Sequence, residues 1–219
     1  MCWPAFGPPK DGSKLPQHGF ARTQRFSVHA TSADVAYTSV EFILYDSPET
    51  RAIWDYAFAL HVTVTLSADD HGAVRLVQRL RATNRGTVPF HFTTALHTYF
   101  RTDDIARLRV SGLTGFEYGD KNLAYARSVD TAAQLHFAAP VDRVYTAAAA
   151  GRNRIAAHEL ADGAQPARMR WTMVADTGFT EYVTWNPWEN GAKVRECQGI
   201  VFFCRIVVLH ARYAHQACA

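Results

Sequence analysis

The sequence predicts an all-β protein, a sandwich or barrel of short antiparallel strands, and three observations carry that expectation. LHVTVTL at 60–66 alternates strictly, with Leu60, Val62, Val64 and Leu66 on one face and His61, Thr63 and Thr65 on the other. That period of two belongs to a half-buried strand. Similar short segments recur along the chain with turn-forming residues between them, and no stretch carries a helical stripe of convincing length. With 219 residues, 48% of them hydrophobic and 20% charged, the chain can bury a core without staples.

Residues 1–25, beginning MCWPAFGPPKDGSKLPQHGFAR, are rich in Pro and Gly and have no period, so they read as a shaped loop. A domain usually opens on an element that packs, and a missing upstream portion is therefore expected. The strand at 60–66 runs into the turn SADDHGA and returns as VRLVQRLRATN, an antiparallel hairpin. NRGTVP then leads into HFTTALHTYF at 91–100, read as one strand continuing from Phe90. In that reading Phe90, Phe92, Leu96 and Phe100 face a core with Thr94 and Thr98. His91, Thr93, Ala95, His97 and Tyr99 take the opposite face, which suits a polar cleft.

Four more strands are expected: ARLRVSG at 106–112, AQLHFAA at 133–139, ARMRWTMVAD at 167–176 and EYVTWNP at 181–187. AYARSVDTAAQ is a candidate short helix whose Val, Thr and Ser weaken the case. Residues 197–219 differ in composition, holding three of the four cysteines and no Asp or Glu, although IVFFCRIVVL reads as a buried strand. The expected organisation is one β domain over 1–196 followed by an atypical tail, 197–219.

Net charge is only +3 and the basic residues are scattered, which argues against a nucleic-acid partner. Cys2, Cys197, Cys204 and Cys218 form no CxxC pair and no framework, so free thiols in a reducing compartment are expected. The N-terminus lacks a basic start followed by an apolar stretch, and no apolar run approaches the ~20 residues that span a bilayer. The expectation is a cytoplasmic protein with no membrane partner, acting as a monomer.

His91 and His97 stand six residues apart, roughly 20 Å along a strand at ~3.3 Å per residue, too far to share a metal. No HxxxH or HExxH grouping occurs, and no metal site is expected. His91 reads as an ordinary polar-face residue. The neighbourhood of His97, ALHTYF, points further.

TTALHTYFRTDDIARLRVSGLTGFEYGDK strongly resembles the glucose-6-phosphate 1-epimerase (hexose-6-phosphate mutarotase) branch of the galactose-mutarotase-like superfamily. KLPQHGFAR at 14–22, VDRVY at 141–145 and VTWNPWENGAK at 183–193 match the same branch in the same order. The resemblance runs from about residue 2 to residue 193. It implies a large antiparallel β-sandwich that interconverts the α and β anomers of a hexose 6-phosphate without metal or organic cofactor. An aldose 1-epimerase acting on unphosphorylated sugar is the neighbouring possibility.

Carried over by motif, His97 is the general acid that protonates the ring oxygen. Gln17 and Arg22 are substrate-binding residues, with Arg22 a ligand for the sugar or its phosphate, and Asp142 is a carboxylate that holds the sugar. On residue chemistry alone other roles stay open. Gln17 can tie down the loop, Arg22 can pair with a carboxylate, and Asp142 can pair with Arg143. Trp185 and Trp188 are read as packing around the turn that Pro187 fixes, and His18 is left without a role.

Two departures from the resemblance stand out. The family carries opening strands and a substrate-binding arginine in a segment like IRGGIP, and Met1-Cys2-Trp3-Pro4 picks up in the middle of that motif. The family's catalytic base is a glutamate in a run like MVCVE, where this chain reads IVVLHAR at 206–212. No Asp or Glu follows Glu196, and Glu189 and Glu196 lie too near WNPW to take that place. A sandwich without its opening strands and a form without its base are therefore expected.

Overall fold

The computed structural model describes residues 1–9, 12–102, 104–146, 154–160, 168–175, 179, 181–188 and 202–209. Contacts divide the chain into two compact units, one built on Cys2–Thr93 and the other on Thr94–Ala211. Among the described residues strands predominate, and every strand pairing is antiparallel.

In the first unit an up-and-down meander joins β1 (Ser27–Ala33), β2 (Tyr37–Tyr45), β3 (Phe58–Ala68) and β4 (Val74–Asn84) in that order. The alternation at 60–66 falls where the sequence predicts, within a longer β3, and the hairpin to β4 forms in full register. A short six-residue helix, α1 (Pro48–Ile53), links β2 to β3. Its start is fixed locally. Ser47 and Thr50 exchange side-chain and backbone hydrogen bonds in a capping box, and Pro48 occupies the first turn, where no N–H is needed.

The loop at 1–25 is shaped by what it buries. Trp3 is fully buried and meets Phe20, Trp54, Phe58 and Phe92, with its centroid 4.6 Å from that of Phe58. The Trp3 carbonyl accepts from Ala21 N–H. Gly19 sits at φ +68, and a Cβ there would lie 2.2 Å from the Trp3 carbonyl oxygen, so no other residue fits.

The strand expected over 91–100 begins only at Ala95. The backbone before it is spoken for. Thr93 N–H donates to the Pro4 carbonyl and its Oγ1 accepts from Phe6 N–H. Phe90 and Phe92 are both buried among the aromatics of the first unit, and His91 is exposed.

The second unit is a two-sheet sandwich. One sheet holds β5 (Ala95–Thr102), β7 (Glu117–Asp120), β8 (Ala126–Val129), β10 (Val141–Thr146), β13 (Glu181–Asn186) and β14 (Phe202–Leu209), in the order β5-β14-β13-β10-β7-β8. The other holds β6 (Leu108–Ser111), β9 (Gln134–His136), β11 (Arg154–Glu159) and β12 (Arg168–Val174), in the order β12-β11-β6-β9. Between them lies a core that includes Leu108, Val110, Ile155, Ala157, Tyr145 and Tyr182, all nearly or fully buried. Phe100 of β5 stacks on Trp171 of β12 with ring centroids 4.1 Å apart.

The four strands expected at 106–112, 133–139, 167–176 and 181–187 all form, as β6, β9, β12 and β13, with shorter ends. AYARSVDTAAQ is not a helix. Ala124 and Tyr125 take positive φ angles of 52° and 63°, and the chain turns back as β8 against β7. Positive φ at two non-glycine residues cannot open a right-handed helix. IVFFCRIVVL does supply a strand, β14. Cys2 is buried, whereas Cys197, Cys218 and the 147–151 alanine run lie outside the described residues. Among the described residues no helix is long and apolar enough to cross a membrane.

Candidate active site

His97 and Asp142 belong to the same six-stranded sheet. His97 lies on β5 opposite Val207 of β14, which in turn pairs with Val183 of β13. Asp142 lies on β10 opposite Trp185, and the row continues through Arg205 to Tyr99 of β5. Alternation along β10 and β13 sends Tyr145, Tyr182 and Thr184 into the core. Asp142, Val183 and Trp185 therefore share the opposite face, as do His97 and Tyr99 two residues apart on β5. His97, Trp185 and Asp142 are half-buried and Tyr99 is 52% exposed, so this face is accessible at those positions, while Val183 between them is buried.

The two predicted residues stand three strands apart, roughly 14 Å at ~4.8 Å per strand, and are offset by two residues along the strands. They do not touch; they flank a stretch of sheet. The His97 and Tyr99 rings lie 5.0 Å apart and tilted by 42°. The Lys121 ammonium lies 3.4 Å from Asp142 Oδ1. Lys121 closes the motif GFEYGDK, where nothing in the sequence marks it as part of a site. Its link to Asp142 follows from the β7–β10 pairing, which spacing along the chain does not reveal.

Arg143, next to Asp142, serves the other face. Its guanidinium lies 3.4 Å from Asp120 Oδ2 and 3.8 Å from Asp130 Oδ2, over the Tyr118 ring. The possible pairing of Asp142 with Arg143 is thus replaced by a pair with Lys121. The buried Tyr145 hydroxyl donates to Asp130 at 2.8 Å. Burial first, then the Asp130 carboxylate, push the Tyr145 phenol far above its usual range. A cavity of about 460 Å³ includes Tyr118, Asp130, Gln134 and Arg143 in its walls and none of the four predicted site residues.

Gln17 and Arg22 lie in the first unit, both exposed on the loop that Trp3, Phe20 and Ala21 anchor. Arg22 sits in the 3-10 turn Ala21–Thr23 and donates through Nη2 to the Gln17 carbonyl at 3.2 Å. His18 helps to hold the loop together. Its Nδ1 accepts from Gly7 N–H at 3.2 Å, and its ring lies 5.1 Å from Phe6. Trp188 packs against the sandwich core as expected, and its N–H donates to Asn186 Oδ1. Trp185 instead stands on the open face. Glu189, Glu196 and residues 210–212 lie outside the described residues.

A family model described as aldose 1-epimerase matches residues 1–210. A Cenchrus ciliaris protein named "Putative glucose-6-phosphate 1-epimerase" is 32% identical over 201 residues, 90% of this chain and 57% of that protein. The chain spans about half the length of the curated relatives it matches. A Salmonella typhimurium crystal structure described as a "putative mutarotase" superposes with a TM-score of 0.73 at 27% identity, covering 97% of this chain and 67% of that one. The galactose mutarotase related enzyme of Lactobacillus acidophilus shares the fold at a TM-score of 0.65 and 16% identity, over 95% of this chain and 69% of that one. The fold is thus the galactose-mutarotase-like antiparallel sandwich, and the chain belongs to the aldose 1-epimerase family.

Proposed function

We propose that the chain is a sugar mutarotase whose substrate is a hexose 6-phosphate, with His97 as its general acid. The observation that supports this most is the shared open face of His97, Trp185 and Asp142 in a chain of this family. Anomer exchange breaks the C1–O5 bond, rotates the aldehyde about C1–C2 and closes the ring again. The ring oxygen gains a proton as the C1 hydroxyl loses one, so atoms balance with no redox step. An imidazole with an ordinary pKa of ~6.5 can give and retake that proton near neutral pH. Asp142 accepts hydrogen bonds from sugar hydroxyls, and Trp185 offers apolar ring surface beside it.

The roles of Gln17 and Arg22 rest on the motif PQHGFAR. Arg22 is proposed as the phosphate ligand because a guanidinium fork can give two parallel hydrogen bonds to phosphate oxygens. The test compares α/β exchange of glucose 6-phosphate with that of glucose by NMR. Faster exchange of the phosphorylated sugar, lost in Arg22→Ala, supports the reading. Equal rates point to an unphosphorylated aldose.

One observation favours a second reading, a sandwich that binds sugar phosphate without turning it over. No carboxylate follows Glu196 in this chain, where the family's base is expected. Saturable binding with no exchange above buffer would select that reading.

A further inference from the structure

We propose that His29, Glu41 and His61 form a binding site for one divalent transition-metal ion of the zinc type, on the meander sheet of the first unit. One ligand atom from each residue lies within 4.8 Å of the other two. Zinc holds nitrogen and carboxylate ligands at about 2.0–2.2 Å in a tetrahedron, which places ligand atoms roughly 3.4 Å apart.

The strands deliver the three ligands to one face. Glu41 of β2 pairs with Thr63 of β3, so His61, two residues along β3, shares its side of the sheet. His29 occupies the irregularity in β1 between Val28 and Ala30, where the pairing with β2 shifts by one residue. A bulge of this kind re-aims a side chain. Here it sets the His29 ring 5.4 Å from the His61 ring, edge to face. The side chains of Glu41 and His61 are only 23% and 12% exposed, which limits their alternatives.

The contacts around His61 favour a cation. Its Nδ1 lies 2.6 Å from Glu41 Oε1 and 3.2 Å from an Arg81 guanidinium nitrogen. To bond Glu41 that nitrogen must donate, and to bond Arg81 it must accept. It cannot do both. A metal ion bound by the nitrogen and the carboxylate oxygen removes the conflict, and two imidazoles with one carboxylate suit zinc rather than calcium or magnesium. Arg81, directly opposite His61 on β4 and 67% exposed, can then swing into solvent. In the apo protein it competes with the cation for the same site. The ligands come from three strands, which is why no local motif announced them and why the expectation of no metal site is revised here.

The experiment is a Zn²⁺ titration of the chelator-stripped full chain by calorimetry, with Co²⁺ absorption as the geometric readout. We expect one saturable site, weakened at least about tenfold in both His29→Asn and Glu41→Gln, as loss of a ligand demands. Arg81→Ala should tighten binding, because it removes a competing positive charge and no ligand. His29 is exposed, so its asparagine variant keeps the test valid even if His61→Ala fails to fold. Circular dichroism checks each variant. No saturable binding, or wild-type affinity in His29→Asn, would overturn the proposal; the latter would place the ion on other histidines or cysteines. Weaker binding in Arg81→Ala would overturn it as well.

Discussion

His97 carries the chemical claim, and its replacement separates chemistry from binding. His97→Ala is expected to lower the catalysed exchange rate by about 10²–10⁴-fold while leaving sugar-phosphate affinity within a few-fold, as measured by NMR exchange and by titration. Asp142→Asn should do the reverse, raising KM about tenfold or more with a smaller change in kcat, because it weakens hydrogen bonds to a charged acceptor. Tyr145 bears on stability. Its phenol is held above the ordinary value near 10 by burial and by Asp130, so its contribution is complete below about pH 10 and is lost as pH rises beyond that. Thermal melts should show Tm falling above about pH 10. Tyr145→Phe should flatten that fall and cost about 1.5–3 kcal/mol at neutral pH by removing the donor to buried Asp130. Motifs in the sequence single out His97 and Asp142 as candidates, and the strand pairing sets both on one face of one sheet. Lys121, Trp185 and the His29–Glu41–His61 cluster were not legible in this way, because each depends on a neighbouring strand whose register no single segment encodes.

Among the elements, strands with clear alternation were the most readable: β4 matches its expected segment, and β3 contains 60–66 and extends two residues beyond it at each end. The errors fall where tertiary hydrogen bonds override the local pattern. HFTTALHTYF alternates from its first residue, yet Thr93 gives its backbone N–H to Pro4 and its hydroxyl to Phe6, and the strand waits until Ala95. AYARSVDTAAQ has no helix because its opening residues turn left-handed. The proline-rich loop depends on Trp3. Trp3→Ala is expected to destabilise the chain by about 3–5 kcal/mol, read from the denaturant midpoint, since it empties an aromatic cluster of its central ring. Gly19→Ala should cost at least about 1–3 kcal/mol by the same measurement, because positive φ and the Trp3 carbonyl both oppose a Cβ. Either variant would also disturb Gln17 and Arg22, which the loop carries.

For the molecule as a whole, the family follows from motifs spread across the chain, and the antiparallel sandwich was visible in its period-two segments and in the lack of any long helical stripe. Its division at Thr94 was not, because Phe92 and Leu96 read as one continuous apolar face in sequence although they belong to different units. The strand order was equally hidden. β14 reaches back to lie between β5 and β13, so a segment of unusual composition becomes the direct neighbour of the His97 strand. The family's base is expected in that neighbourhood, and the chain offers no carboxylate after Glu196. Two-dimensional exchange NMR of α- and β-glucose 6-phosphate with the purified chain is therefore the decisive measurement. Exchange well above the buffer rate is expected, falling by at least about 10²-fold in His97→Ala. Exchange at the buffer rate for the wild-type chain, or acceleration that His97→Ala leaves intact, would refute catalysis by His97.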